Sequence, residues 1–289
     1  MKRLVLFLFF LSMAVLNGNG WGWNVHRNIS KVAVYKLPEP LIAFYKKHIE
    51  YLAKHSINPD KKSFIDSTER FRHFINTDFY IRNNMFDSKL PNWCKLLDSI
   101  DKDSVIVNGT LPWTIISYYS LLKEAFKVKD KKKILHYSAY LSHYVSDLTV
   151  PLHCREDYDG LNKNQKGIHR LFETILPDFN IKEYNFFSVK TKYIDNVKDV
   201  VYTTIYDNYY KADTLFVAYD SITRKYNEIE LYYPDKYKNR VQNRFNNKAL
   251  NDFYLMSNKM TERQILKAIW LTSSLWYSAW IEAGQPQLK

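Results

Sequence analysis

Glycine occurs only seven times in 289 residues. A chain so poor in glycine, in which long segments keep a helical hydrophobic period, reads as mostly helix. Residues 27–54 read as helix broken at "LPEP", where Pro38 and Pro40 cannot continue the backbone ladder. Residues 55–80 read as irregular. A helix starts near Pro112, a favoured first-turn residue, and runs through "WTIISYYSLLKEAF". The next, "DKKKILHYSAYLSHYVSDLTV", stops at Pro151, and "QKGIHRLFETIL" makes a short helix before Pro177. Residues 178–195 show no clear period, and 196–226 and 236–256 read as two further helices. The last helix carries a capping-box spacing at Thr261 and Gln264 and a stop at Gly284 and Pro286. There is no internal repeat, low-complexity tract or Gly/Ser linker. The expectation is one all-α, compact multi-helix domain.

The first twenty residues stand apart from that domain. Lys2 and Arg3 precede the apolar run "LVLFLFFLSMAVL", residues 4–16, and Gly18 and Gly20 supply small residues before a cut. Such a run has the length of a signal-peptide core and is short for a membrane span. The reading is a signal peptide over 1–20, removed on export to a periplasmic or extracellular space, and a domain over 21–289. No cysteine follows the apolar run, so a lipid anchor has no attachment point. The net charge of +12 favours anionic partners such as phosphate esters, nucleic acid or membrane surfaces. Two cysteines, Cys94 and Cys154, are too few for a disulfide scaffold: one bridge or two buried thiols remain open. Nothing in the chain implies a stable protein partner, and a monomer is expected.

The histidines carry the chemistry. His143 and Asp147 are four apart on one expected helix, and His169 and Glu173 are four apart on the next. Side chains at i and i+4 project from one helix face, so each pair can grip one cation. His153 lies between the pairs, just past the Pro151 stop. Cleavage after Gly20 would expose Trp21 as a free amine, a nitrogen ligand whose own carbonyl can close a chelate ring. His26 then offers an imidazole nearby. Asp60 and Asp66 both precede His73, by thirteen and seven residues. His48, His55 and His136 read as surface or satisfied polar residues. The aromatic stripes at 113–126 and 269–280 read as core packing, and "KYKNRVQNRFNNK" as a solvated helix face.

These residues carry a resemblance. From "WGWNVH" through "LSHYVSDLTVPLH" and "GIHRLFE" to "WYSAWIEAGQP", the chain resembles the superfamily that joins zinc-dependent phospholipases C with the fungal and plant single-strand nucleases. That family begins on Trp when mature and holds three zinc ions in an all-α fold. The resemblance implies nine ligands here: Trp21, His26, Asp60, His73, His143, Asp147, His153, His169 and Glu173. It implies one zinc on Asp60, His73, His143 and Asp147, and a second on the Trp21 amine and carbonyl, His26 and a bridging Asp147. The third takes His153, His169 and Glu173. Asp60, at a spacing nearer the family's, is preferred to Asp66, and Asp60 and Asp147 are the carboxylates placed in catalysis.

The implied activity is hydrolysis of a phosphodiester, either a phospholipid or a single-stranded nucleic acid. The third-zinc motif ends in Glu173, as in the phospholipase branch, and the loop before it reads "YDGLNKNQKG" rather than the nuclease branch's "GGN"-like run. Asn24 stands near the place where the phospholipases hold choline with an acid, so a choline headgroup is not implied. The other class to carry is a non-catalytic, zinc-stabilised surface protein. Such a site would fill its coordination shell with protein groups.

Overall fold

The structure, a computed structural model, describes residues 21–86, 89–237 and 240–288. The expected leader, residues 1–20, lies outside the described residues, and so does the expected cut after Gly20.

The all-α reading holds, in one domain. Helix α1 (Trp23–Val34) ends before the "LPEP" break, and α2 (Leu41–Lys47) and α3 (Ile49–His55) follow it. The stretch read as irregular contains short helices: α4 (Asn58–Ser63), a 3-10 turn over Glu69–Arg72, and α5 (Thr77–Arg82). Then come α6 (Trp93–Ser99), α7 (Lys102–Val107) and the long antiparallel neighbours α8 (Leu111–Lys127) and α9 (Lys131–Leu148). Asp130 caps α9, its carboxylate accepting the Lys133 amide at 3.0 Å. Pro151 ends it as expected, opening a 3-10 turn over Pro151–Cys154.

Four readings need correction. The helix expected to stop before Pro177 runs past it. It comprises α10 (Ile168–Arg170), a π-helical turn over Leu171–Ile175 and α11 (Leu176–Asn180); Pro177 lies inside that run and has no N–H for the Glu173 carbonyl four residues back, which accepts the Gly22 amide at 3.1 Å instead. After α12 (Val197–Lys225) and α13 (Glu228–Leu231), residues 236–256 do not form one helix. An antiparallel hairpin of β1 (Tyr232–Tyr237) and β2 (Arg240–Phe245) precedes α14 (Asn247–Met256). Pro234 removes a helical donor there, and Tyr232 packs across the hairpin on its register partner Phe245, ring centres 4.6 Å apart. The basic run is therefore largely strand. The capping box of α15 (Met260–Glu282) does not form: Gln264 donates instead to Asn208 on α12. The stop does form, with Gly284 at φ +85° and the Gly284 and Gln285 amides bonded to the Ile281 and Trp280 carbonyls.

The core is built on α9 and α15, flanked by α1, α3 and α8. Tyr45 stacks on Trp276 at 4.9 Å, and both reach Ser138 on α9: the Tyr45 hydroxyl at 2.7 Å and the Trp276 indole N–H, donating to the carbonyl, at 3.1 Å. From Leu141 to Val150 every residue is buried. A helix buried on every side should be apolar on every side. This one carries Ser142, His143, Ser146 and Asp147 in its last turns, so the core has a polar heart. Among the described residues no helix is long and apolar enough to cross a membrane. Neither cysteine is bridged; Cys94 is exposed and Cys154 buried.

Candidate metal centre

Helix α9 sets the geometry. His143 and Asp147, one turn apart, face α1, which lays the His26 ring flat on His143 with centres 4.1 Å apart. The short α4 brings in Asp60, and the 3-10 turn after it delivers His73. The His143 Nε2 lies 3.1 Å from His73 Nδ1, 3.2 Å from Asp147 Oδ2 and 3.5 Å from Asp60 Oδ1. His73 Nδ1 is 2.9 Å from Asp147 Oδ2, and His26 Nε2 is 3.4 Å from Asp147 Oδ1. Five expected ligands thus converge, with Asp147 at the middle.

The second group forms where α9 ends. The turn Pro151–Cys154 presents His153, and α10 with the π turn presents His169 and Glu173. His169 Nε2 stands 2.9 Å from His153 Nε2 and 3.0 Å from Glu173 Oε2. The loops of the two groups are stitched together: His153 donates its Nδ1–H to the His73 carbonyl at 2.7 Å, and the Ile75 amide donates to the His153 carbonyl at 2.8 Å.

Those bonds fix tautomers. A carbonyl only accepts, so the ring nitrogen facing it must carry the proton. His153 does this toward His73, and His143 Nδ1 does it toward the Ser56 carbonyl at 2.7 Å. In the neutral ring each Nε2 then presents a lone pair to its group, the arrangement that metal-ligating imidazoles adopt. Burial, with the neighbouring His26, pushes His143 down to about 3 against the pull of Asp147. Burial likewise pushes His169 down to about 4. Both rings are neutral donors at physiological pH.

The carboxylates divide. Burial, together with the charges of Asp147 and Glu173, pushes Asp60 well above the usual carboxylate range. Burial works the same way on Asp147, but the imidazoles of His143, His26 and His73 overcome it and hold that group well below the usual range. Both His26 ring nitrogens, His73 Nε2, Asp60 Oδ1 and Asp147 Oδ1 are buried without a hydrogen-bond partner. Unsatisfied buried polar atoms cost about 1–3 kcal/mol each. A concentration of them on imidazole and carboxylate, within ligand reach of one another, could hold a metal ion.

The remaining residues singled out in the sequence lie as follows. Asp66 is at the surface, accepting from Thr68 and paired with Lys62, outside both groups. His48, His55 and His136 are partly exposed and outside them too. The Trp21 indole is buried and donates to the Ser146 carbonyl at 2.8 Å, and the Gly22 amide donates to the Glu173 carbonyl at 3.1 Å. Residues 21–22 therefore lie between the two groups.

Three supports had no sequence signature. The Ser56 carbonyl is backbone. Asp159 accepts the Gly167 and His169 amides at 2.9 and 3.3 Å, ordering the loop before His169. Glu69, fully buried, accepts from the Tyr144 hydroxyl and from Lys62 at 2.7 Å, which braces a ring packed edge-on against His73 and His143.

One cavity of about 150 Å³ opens on the ligands; His73, His153 and His169 line it with Arg70, Asn76, Arg155 and Tyr158. A larger groove of about 550 Å³, walled by Trp93, Trp113 and Tyr118, includes none of the ligands. No family model and no curated protein matches the chain.

Proposed function

We propose that this chain is a zinc-dependent phosphodiester hydrolase of the phospholipase C type, exported after removal of residues 1–20 and active as a monomer. The observation that carries the reading is the convergence of eight side chains from distant segments, His26, Asp60, His73, His143, Asp147, His153, His169 and Glu173, into adjoining buried groups that open on one cavity. Three zinc ions would be held: two around Asp147, with the Trp21 amine and carbonyl completing the second, and one on His153, His169 and Glu173. Zinc bound there supplies Lewis acidity, polarising phosphoryl oxygens and easing deprotonation of a water at neutral pH.

The protein's own contribution is placement. Asp147 sits between three imidazoles, so it can serve two cations while offsetting their mutual repulsion. The carbonyls of Ser56 and His73 orient the donor rings before substrate arrives. His73, His153 and His169 all line the cavity, so a phosphoryl group held there would lie against both groups. That opening favours catalysis over a structural role, since structural zinc sites are closed by protein ligands. Glu173, the residue the resemblance gives to the phospholipase branch, supports a phospholipid over a nucleic acid substrate.

The test is a panel of phosphatidylcholine, other phospholipids, single-stranded DNA and RNA and a chromogenic phosphodiester, each with zinc and with chelator. Chelator-sensitive turnover of a phospholipid is expected. Turnover of nucleic acid alone assigns the nuclease reading, and turnover of none of them, with zinc bound, removes both.

A further inference from the structure

The cavity over the metal centre has a wall that the ligands do not account for. Arg155 lines it, two residues after His153, so the 3-10 turn that sets the ligand also sets the guanidinium. The side chain is 10% exposed and is gripped from the far side by α12. One terminal nitrogen lies 2.9 Å from Asp213 Oδ1 and 3.4 Å from the Tyr209 carbonyl, and the guanidinium carbon rides 4.7 Å above the Tyr209 ring. Asp157 is 3.8 Å from the other terminal nitrogen. The Nε is different. It is buried, 3.7 Å from Asp78 Oδ2, and makes no hydrogen bond. The Asp78 carboxylate is already engaged, by the Glu156 amide at 2.9 Å and the Tyr209 hydroxyl at 3.0 Å.

We propose that Arg155 forms a phosphoryl-oxygen subsite: its Nε–H donates to a non-bridging oxygen of a phosphate group held in the cavity, and Arg70 adds a second positive charge from the same lining. This deepens the phosphodiesterase reading and rests on it for the identity of the anion. A tetrahedral phosphate that gives oxygens to both metal groups has a further oxygen to satisfy, and a planar guanidinium pinned on an aromatic ring donates to it at a fixed angle. A cavity of about 150 Å³ takes the phosphate with a small part of its alcohol, not a whole lipid or a base pair. Asp78, Asp157 and Asp213 offset the charge of Arg155, so its contribution is a directed donor. Arg70 is exposed and supplies the longer-range attraction.

Wild type, R155K, R155Q and R70Q are loaded with zinc, freed of excess metal and checked for zinc content. Inorganic phosphate is then the probe, by calorimetry and by competition against a chromogenic phosphodiester. R155K and R155Q should bind phosphate about 10- to 100-fold more weakly with zinc content unchanged. R70Q should lose a few-fold, most at low salt. Should R155Q fail to fold, as judged by circular dichroism, R155K carries the comparison, because lysine keeps the charge and loses the Nε donor. Phosphate affinity within twofold of wild type in R155K, with zinc retained, overturns the subsite. Wild type that binds phosphate through Arg155 yet cleaves no diester upholds the subsite and sinks the phosphodiesterase reading. Variants that bind phosphate and cleave as well as wild type do the reverse.

Discussion

The two ligand groups solve different problems. The first draws His26, Asp60, His73, His143 and Asp147 from four separate elements, and none is more than 2% exposed. It puts two carboxylates and three imidazoles where water does not reach, so one acid has to take a proton when no cation is present. The second gathers His153, His169 and Glu173 from adjacent turns beside the cavity, with His169 at 8% exposure and one carboxylate to balance. The first is a charge arrangement that a cation completes. The second is a smaller buried clamp beside the cavity.

The largest effect should come from breaking the first group at its hub. Asp147→Asn removes the anion that touches His26, His73 and His143. We expect loss of the paired metals and a fall in diesterase rate of ~100-fold or more, the scale of removing one charge-stabilising group. Glu173→Gln keeps an amide oxygen in place and should cost about 10-fold with loss of one metal at most. Rates on one chromogenic diester and metal content per chain are measured in parallel. If Asp147→Asn keeps its metals and near-normal turnover, Asp147 is not the shared ligand.

The groups should also differ in how acid destabilises the chelated protein. His143 and His169 are held below their ordinary value near 6.5, to about 3 and about 4. As pH falls below 6.5 the unfolded rings take up protons and the folded ones do not, so each ring subtracts about 1.4 kcal/mol of stability per pH unit down to its folded value. Asp60 has the opposite sign. Its folded value is raised, so between that value and its ordinary 3.8 the folded state takes up the proton first and acid stabilises it. In the first group the two opposed slopes cancel in part, while in the second the His169 slope runs in the destabilising direction. Urea unfolding with chelator between pH 6.5 and 4.5 should therefore give a steeper pH slope for Asp60→Asn and a flatter one for His169→Asn. Identical slopes in both variants and wild type would remove the distinction.

Metal removal should also separate the groups at neutral pH. A ligand at 100 times its Kd stabilises the fold by about 2.7 kcal/mol. Under stepwise chelation the His153–His169–Glu173 metal, beside the cavity, should leave first with a small drop in Tm. The buried pair should leave later with a larger one. Calorimetry with metal analysis at each step reads the order, and simultaneous release would mean the groups are one cooperative cluster.

How much of this was legible beforehand also follows the two groups. His143–Asp147 and His169–Glu173 are i,i+4 pairs on helical turns, so spacing alone carried them. Asp60 against Asp66 was open on spacing, and only tertiary packing puts one inside and the other beside Thr68 at the surface. The helices with strong period match the sequence pattern, with breaks at Pro38–Pro40 and Pro151, but the stop expected at Pro177 does not form. The hairpin over 232–245 did not, because polar, basic strand residues carry no helical or alternating signature strong enough to compete. The capping box at Thr261 and Gln264 is absent for a physical reason as well: the buried Gln264 amide donates to Asn208, 56 positions earlier, rather than turning back to the helix's own terminus. Arg155 gave no signal at all, because its meaning lies in contacts with α12.

The smallest expected effect tests whether the second group depends on its loop. Asp159 does not reach the ligands; it accepts the Gly167 and His169 amides, the free donors at the start of α10. Gly167 sits there at φ +95°, so the backbone bend is already supplied, and Asp159 only anchors it. Asp159→Asn keeps an acceptor oxygen but loses the charge beside two helix N–H groups, worth about 0.3–1 kcal/mol. That predicts a two- to fivefold weaker metal in the His153–His169–Glu173 group and no change in the paired site, since no element of the first group touches Asp159. Competition with a chromogenic chelator resolves the two classes of metal. An equal loss in both classes would mean that the loop braces the whole centre, and the contrast between a buried charge arrangement and a separate clamp would have to be given up.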